Sequence, residues 1–328
     1  MLGITRREFI GLLGGAAAWP LTARAQQTTL PVIGLLVSST AEAFSPSLTA
    51  FRQGLLETGY IEGRSVRFEY RFADDRLDRL PALAADLVRA RVSLIAALGN
   101  QRPALAAKAA TSAIPIVFAF GADPLENGVV SSLNRPGGNI TGMTALDGAL
   151  VSKRLQLLHD LLPSAKVFGI LRNPTNNTQR LIDQSQAAVI ALGRTMEIAD
   201  ARSEGELESA FAVLAQKRID VISVLPDSLF VAHPEKLVEL AAQYGMPAIY
   251  PFKEIARLGG LMSYGADMTD NIRQAGVYAG RILKGEKAGE LPVQQASRFE
   301  FFINLKTAKS LGLAVPPTLL AIADGVIE

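Results

Sequence analysis

The sequence predicts an α/β protein built as two doubly wound parallel-sheet lobes joined by a hinge. Segments with strand patterns alternate with segments of helical periodicity along most of the 328-residue chain, as in architectures built from βαβ units. The strand segments are mostly continuous apolar runs, which is typical of parallel strands covered by helices on both faces. The same succession restarts near the middle of the chain, which indicates two copies of one βα unit rather than a single large sheet.

The first copy contains five predicted strands and the helices between them. The strands are expected at 31–37, 65–72, 93–98, 114–120 and 140–144. Helical spacing is found at 77–89 and 103–110. Ser45-Pro46 is placed to cap and begin a helix that ends at Gly59, and Asp123-Pro124 is placed to cap and begin the helix after the fourth strand.

The second copy is predicted to begin with a helix from Ser152. Its strands are expected at 167–171, 196–199, 220–225, 247–250, 261–264 and 298–305. Helices are expected at 178–192, from Ser203, and at 234–243, 271–283 and 307–311. We expect an N-terminal lobe of 26–143 plus 268–291 and a C-terminal lobe of 144–267 plus 292–328, so that the end of the chain ties the lobes together.

Residues 1–25 have the features of a twin-arginine signal peptide. Arg6-Arg7 precedes a short apolar stretch, and a small-residue cleavage site ends at Ala25, so the mature chain is expected to start near Gln26. The apolar stretch is too short to span a bilayer as an anchor. The sequence therefore predicts an exported, periplasmic protein that is not inserted in the membrane.

Removal of the signal changes the charge balance of the chain. It takes away three arginines and one glutamate, so the 33 basic and 31 acidic residues become 30 of each. A balanced mature chain gives no reason to expect nucleic acid or an anionic membrane as a partner. The sequence contains no cysteine, so the fold is expected to form without disulfides.

Polar and aromatic side chains follow the predicted strands at their carboxyl ends, where open α/β sheets bind ligands. The hydroxyl and amide groups, together with helix N-termini, suit a ligand carboxylate. Asp227 suits an ammonium group, and the aromatic rings suit an apolar or aromatic ligand side chain. The predicted ligand-binding residues are Ser38, Ser39, Asn100, Gln101, Phe120, Gly121, Asp123, Asn173, Asp227, Ser228, Tyr250 and Tyr264.

Each of these residues also has a purely structural interpretation. The serines and Asp123 are typical helix N-caps. The asparagines are typical turn formers, and the tyrosines could be core residues with a satisfied hydroxyl. What favours a binding site is that all of them lie at the same end of the predicted strands.

No motif in the sequence indicates an enzyme. The two histidines, His159 and His233, lie on an amphipathic helix and beside a proline, where surface or capping roles are expected. The sequence has no Cys/His metal spacing, no G-x-S-x-G nucleophile elbow and no phosphate loop ending in G-K-[ST]. We therefore predict a protein that is not an enzyme, with no catalytic residue, no metal and no cofactor.

Five segments resemble one known family. They read PVIGLLVSS, FRQGLLETGYIEGRSVRFEYRFADDRLDRLPALAADLV, IPIVFAFGADPLENGVVSSLNRPGGNITGMT, GGLMSYGADMTDNIRQAGVYAGRILKGEKAGELPV and FFINLKTAKSLGLAVPPTLL. Together they resemble the tryptophan/tyrosine-type branch of ABC-transporter substrate-binding proteins over nearly all of the mature chain. The resemblance implies a type I periplasmic-binding-protein fold, in which two lobes close about a hinge around the ligand.

The resemblance and the loop residues together predict a solute-binding protein of an ABC importer. Its ligand would be an aromatic or branched amino acid or a related carboxylate, and its partner an ABC permease in the inner membrane; a monomer is expected. Arg102 stands in a loop that the resemblance leads us to expect glycine-rich, and it favours instead an acid lacking an amine. A ligand-sensing receptor for a membrane signalling protein, and an exported hydrolase or redox enzyme, are the alternatives.

Overall fold

The two-lobed α/β fold predicted from the sequence is confirmed. A computed structural model describes residues 30–146, 148–175 and 178–328. Within these residues the strands form one sheet of six strands and one of seven, and parallel pairing dominates both. The predicted signal peptide and its cleavage site at Ala25 lie outside the described residues. We call each sheet with its covering helices a lobe, the first and the second in chain order.

The first sheet is entirely parallel and has the order β11-β5-β4-β3-β1-β2. Its strands are β1 Val32–Val37, β2 Arg67–Phe72, β3 Leu94–Leu98, β4 Ile116–Phe120, β5 Ile140–Thr144 and β11 Gln294–Gln295. Successive side chains of β1 enter opposite cores: Leu35 packs in one and Leu36 in the other. The continuous apolar runs in the sequence therefore arise because both faces of the sheet are covered.

Two helices cover each face of the first sheet. Ala41–Glu57 and Met268–Leu283 contribute to the core that contains Leu35, and Leu80–Arg89 and Gln101–Ala110 contribute to the opposite core. Three of these helices come from the first copy of the βα unit. The fourth, Met268–Leu283, returns to the first sheet from far along the chain.

Helices Ala41–Glu57 and Met268–Leu283 touch at the backbone through two glycines. A Cβ atom at Gly54 would lie 1.8 Å from the carbonyl oxygen of Arg273, and one at Gly276 would lie 2.2 Å from that of Phe51. Neither distance leaves room for any side chain, so only glycine permits this approach. The contact fixes the returning helix on the first lobe.

The second sheet has the order β13-β12-β10-β9-β8-β6-β7, with only the β10–β12 pair antiparallel among its described strands. Its strands are β6 Val167–Arg172, β7 Thr195–Asp200, β8 Val221–Val224, β9 Ala248–Tyr250, β10 Met262–Ala266, β12 Phe299–Asn304 and β13 Gly325–Ile327. The covering helices are Gly148–Leu161, Gln179–Ala191, Glu204–Gln216, Ser228–Ala232, Pro234–Gln243, Lys253–Arg257, Leu305–Ser310 and Pro317–Ile322. They lie on both faces, so this lobe is doubly wound as well.

The chain passes between the two sheets three times, and hydrogen bonds tie these crossing segments together. The Ala296 N–H donates to the Thr144 carbonyl at 2.7 Å, and the Asp267 N–H donates to the Arg298 carbonyl at 3.0 Å. Lys253 Nζ lies 2.5 Å from Glu300 Oε2 and 3.6 Å from Asp267 Oδ1. These contacts couple the crossings into one connection, which is the place for a hinge.

Three sequence-based expectations differ from the structure. The first helix begins at Ala41, because the hydroxyl of Thr40 accepts the Ala43 N–H at 3.3 Å; Pro46 therefore lies inside the helix and does not begin it. The expected helix after Asp123 is a set of turns that ends at Gly128, which has φ +68°. Strand β11 pairs with β5, so the first sheet extends past the expected lobe boundary at residue 291.

No helix among the described residues is both long and apolar enough to cross a membrane.

Candidate functional site

A cavity of about 620 Å³ lies at the carboxyl ends of strands from both sheets. Loops after β1, β3 and β4 line it from the first lobe, and loops after β8 and β9 line it from the second. The helices Gln179–Ala191 and Met268–Leu283 contribute side chains as well. This is the position at which open parallel sheets bind ligands, and its size is typical of small-molecule sites.

The first lobe contributes a wall of hydroxyl and amide groups that bond to each other. Asn100 Nδ2 donates to Ser38 Oγ at 3.0 Å, and Asn100 Oδ1 accepts the Arg102 N–H at 2.9 Å. The second bond caps helix Gln101–Ala110. Gly99, with φ +107°, makes the sharp turn out of β3 that brings Asn100 beside Ser38. Ser39 and Gln101 line the cavity next to this pair.

The second lobe contributes the carboxylate of Asp227, which is 9% exposed. Its Oδ1 accepts hydrogen bonds from Asn173 Nδ2 at 3.0 Å and from the Leu229 N–H at 2.9 Å. Asn173 is itself held, because its Oδ1 accepts the N–H and the hydroxyl of Thr175. The loops after β6 and β8 thus fix one carboxylate at the edge of the cavity.

An ion-pair cluster joins the two lobes beside the cavity. Arg180 Nη1 lies 2.9 Å from Asp123 Oδ2 and also contacts Glu126 Oε1. Arg180 belongs to helix Gln179–Ala191 of the second lobe, whereas the two carboxylates follow β4 of the first. These pairs raise the pKa of Arg180, mainly through its hydrogen bonds to Glu126 and Asp123. Arg180 is therefore a cation throughout the physiological pH range.

Apolar side chains form the rest of the lining. They include Phe44, Leu146, Leu181, Phe252, Ile255 and Ile272, from both lobes. Phe44 and Phe252 supply the aromatic surface of the cavity within the described residues. A ligand with a polar end and an apolar or aromatic body matches this division of the walls.

Seven of the twelve predicted ligand-binding residues line this cavity. They are Ser38, Ser39, Asn100, Gln101, Gly121, Asp123 and Asp227. The structure brings the loops after β1, β3, β4 and β8 together at one cavity, as their position at strand ends predicted. That these residues contact a ligand stays a prediction.

The three predicted aromatic residues do not line the cavity. Phe120 is fully buried and stacks on Phe118, with ring centroids 4.7 Å apart. Tyr250 is fully buried in a core of the second lobe. Tyr264 packs beside Phe299 in another core, with centroids 6.4 Å apart. All three lie within strands, so their side chains point into the layers between sheet and helices.

The remaining two predicted residues lie close to the cavity without forming its lining. Asn173 positions Asp227 through the hydrogen bond given above, which makes it a supporting residue. The backbone of Ser228 begins the helix Ser228–Ala232, and its side chain lies outside what the structure describes.

Sequence reasoning missed several residues of the lining. Phe252 stands two positions after Tyr250, beyond the strand end, and is the aromatic residue that reaches the cavity from this loop. Glu254 follows in the helix Lys253–Arg257. Arg180 and Glu126 gave no signal in the sequence, because their pairing joins residues more than 50 positions apart.

The buried hydroxyl of Tyr250 has no hydrogen-bond partner among the described residues. Burial also raises the pKa of this hydroxyl, because the ionised form would have no solvent around it. The Tyr250 side chain is therefore a neutral packing group in the core of the second lobe.

The chain is similar to known proteins, and the alignments cover most of its length. The chain is 29% identical over 274 residues to a protein of Clostridioides difficile (strain R20291) named tyrosine-binding protein, covering 82% of this chain and 78% of that protein. Among solved structures, an ABC domain in complex with L-Trp from Streptococcus pneumonia has a TM-score of 0.84 and 25% identity, with 91% of this chain and all of that chain covered.

A conserved domain protein from Vibrio cholerae gives the same TM-score of 0.84 at 27% identity, covering 90% of this chain and 99% of that one. The family model described as ABC transporter substrate binding protein matches residues 33–327, which include both sheets and the cavity between them. The chain therefore belongs to the ABC-transporter substrate-binding proteins.

Proposed function

We propose that this protein binds an aromatic amino acid, such as L-tyrosine or L-tryptophan, in the cavity between its lobes. The observation that carries the proposal is the make-up of the cavity. One lobe supplies hydroxyls and amides, the other a fixed carboxylate, and both supply apolar surface. The names of the tyrosine-binding relative and of the structure in complex with L-Trp support the same ligand class.

The polar groups suggest an orientation for such a ligand. Its carboxylate would lie against Ser38 and Asn100, near the N-terminus of helix Gln101–Ala110, where the helix dipole favours negative charge. Its ammonium group would lie against Asp227, and its ring between Phe44 and Phe252. Each end of the ligand would then contact a different lobe, so binding would favour closure of the lobes about the crossing segments.

Substrate-binding proteins of this family act outside the cytoplasm as components of ABC transporters. For this chain we propose the finer assignment of a periplasmic monomer, exported through the signal peptide at 1–25 and cleaved near Ala25. The closed form would deliver its ligand to an ABC permease in the inner membrane. We propose that it has no catalytic activity of its own.

The ligand can be identified with a protein that has no tryptophan of its own. Trp19 is the only tryptophan of the chain and lies in the proposed signal peptide, so residues 26–328 contain none. This segment is refolded from denaturant to remove bound ligand, and its melting temperature is measured with amino acids, aromatic acids and short carboxylates. L-tryptophan is then titrated and its own fluorescence followed against the tryptophan-free protein.

A ligand present at 100 times its dissociation constant stabilises the folded state by about 2.7 kcal/mol. We therefore expect a rise in melting temperature of several degrees with L-tyrosine or L-tryptophan and little change with glycine or acetate. A well-folded protein that no aromatic amino acid stabilises would overturn the proposal.

A further inference from the structure

Two charged side chains of the cavity lie on opposite lobes without a charged partner. Arg102 is the second residue of helix Gln101–Ala110 in the first lobe, and Glu254 is the second residue of helix Lys253–Arg257 in the second. Both side chains are exposed to the cavity. Within the part of the chain that the structure describes, neither takes part in an ion pair within 4.0 Å or in a side-chain hydrogen bond.

Most of the other charges around the cavity are engaged by protein groups. Arg180 is shared by Asp123 and Glu126. The Asp227 carboxylate accepts hydrogen bonds from neighbouring protein groups. Arg102 is consequently the cationic side chain of the described lining that stays available to a ligand.

Asp75 also lines the cavity and has no cationic partner among the described residues. Its N–H donates to the Ser38 carbonyl at 2.8 Å, which places it on the same wall as Arg102. The available charges on the first lobe are therefore of both signs. On the second lobe the available charge is the negative charge of Glu254, and the Asp227 carboxylate, which protein groups engage, follows the neighbouring strand β8.

This arrangement bears on the charge of the ligand. An acid without an amine would satisfy Arg102 but would leave Glu254 facing a negatively charged molecule. An amine without a carboxylate would satisfy Glu254 but would leave Arg102 facing a positively charged molecule. A zwitterion oriented as proposed above can satisfy both, because its carboxylate lies on the wall that carries Arg102 and its ammonium group, against Asp227, lies on the wall that carries Glu254.

We propose that Arg102 and Glu254 are specificity-determining residues that select a zwitterionic ligand over analogues with a single charge. The proposal rests on the function proposed above and adds the charge pattern of the ligand. It differs from the sequence-based alternative in which Arg102 selects an acid lacking an amine, because such an acid would leave the Glu254 carboxylate on the opposite wall without a cationic partner.

The test compares three probes of similar size by calorimetry at neutral pH and low ionic strength. The probes are L-tyrosine, tyramine, which lacks the carboxylate, and 3-(4-hydroxyphenyl)propionate, which lacks the ammonium group. They are titrated into the wild type and into the variants Arg102→Gln and Glu254→Gln. Arg64→Gln and Glu208→Gln, at exposed positions outside the cavity lining, are the matched controls.

We expect the wild type to bind L-tyrosine at least about tenfold more tightly than either analogue, a difference of about 1.4 kcal/mol. Arg102→Gln should weaken L-tyrosine binding about tenfold and leave tyramine within about twofold. Glu254→Gln should weaken L-tyrosine binding by a similar factor and leave the propionate within about twofold or improve it. The controls should bind all three probes as the wild type does.

Two outcomes would overturn the inference and can be told apart. If the wild type binds L-tyrosine but both variants weaken all probes equally, or weaken none, the charge assignment is wrong and the proposed function stands. If the folded wild type binds neither L-tyrosine nor L-tryptophan, the proposed function fails and the charge assignment fails with it.

Discussion

Arg180 Nη1 lies 2.9 Å from Asp123 Oδ2, and this ion pair connects a helix of the second lobe to a loop of the first. The Asp123 carboxylate is well placed for it, since its other oxygen accepts the Leu125 N–H at 2.9 Å and is held by that bond. Opening the cleft would separate Arg180 from Asp123 and Glu126. The ion pair therefore favours the closed arrangement of the lobes.

Replacing Arg180 should weaken ligand binding without altering the Ser38–Asn100 wall or the Asp227 carboxylate. We expect Arg180→Ala to raise the dissociation constant for L-tyrosine by a factor between about 1.4 and 5, because an exposed ion pair contributes about 0.2–1 kcal/mol. The effect should shrink at high salt, since salt screens exposed charges. Calorimetry at two salt concentrations measures this, with Arg202→Ala as the control, because Arg202 pairs with Glu206 inside one lobe. Equal losses in both variants would refute a role in closure.

The charge of Asp227 should contribute more to ligand affinity than to the stability of the fold. Asp227→Asn keeps an oxygen that can accept the Leu229 N–H, so the helix cap survives while the negative charge is lost. We expect binding of L-tyrosine to fall at least about tenfold. We expect the melting temperature without ligand to change by less than about 3 °C.

Asp220→Asn is a suitable control for the Asp227 variant. Asp220 Oδ2 accepts the N–H groups of Lys166 and Val167 at 2.7 and 2.9 Å, outside the cavity lining. This variant should lose stability and retain affinity. If Asp227→Asn binds L-tyrosine within twofold of the wild type, the ammonium group lies elsewhere.

Tyr250 should tolerate the loss of its hydroxyl. The hydroxyl is buried without a partner among the described residues, so its removal leaves no other group unsatisfied. We expect Tyr250→Phe to leave ligand affinity unchanged and to leave stability unchanged or raised by up to about 1 kcal/mol. Tyr250→Ala should cost about 3–5 kcal/mol, because it creates a cavity in the core. Denaturant unfolding measures the stability of both variants, and a ligand titration measures the affinity of Tyr250→Phe. A clear loss of affinity in Tyr250→Phe would show that the hydroxyl takes part in ligand binding.

Tyr70 should make the stability of the first lobe depend on alkaline pH. Burial, followed by the hydrogen bond that its hydroxyl donates to Glu62 at 2.6 Å, raises the pKa of Tyr70 to about 12. The unfolded chain loses this proton at its ordinary pKa near 10. The contribution of Tyr70 is therefore present below pH 10 and is lost as the pH rises towards 12.

Melting curves between pH 9 and 12 should consequently fall more steeply for the wild type than for Tyr70→Phe. The difference in ultraviolet absorbance between the two proteins should show a tyrosine that titrates at about 12. Tyr60→Phe provides the comparison variant. A Tyr70 that titrates near 10 would contradict the expectation.

The sequence was most informative where the local pattern of apolar residues is enough to identify an element. Continuous apolar runs such as 94–98 were placed correctly because burial on both faces leaves no other pattern. The loops that follow the strands reached one site for a topological reason, since parallel strands present their carboxyl ends at the same edge.

The sequence was misleading where a prediction depends on which way a side chain points or on contacts between residues far apart in the chain. Tyr250 ends its strand, and position alone does not tell whether such a side chain points into a core or beyond the sheet edge. The same uncertainty hid Phe252, two residues further along. Strand β11 is two residues long and has no pattern to detect; it forms only because β5 offers a free edge.

The glycine contact between Gly54 and Gly276 has a consequence for how the protein is made. The helix Met268–Leu283 covers one face of a sheet whose first five strands end at Thr144. A ribosome must synthesise more than 120 further residues, including β6 to β10, before this helix exists. Until then the apolar side chains of β1 and β3 on that face have no complete cover, so the first lobe cannot finish folding before most of the second has emerged.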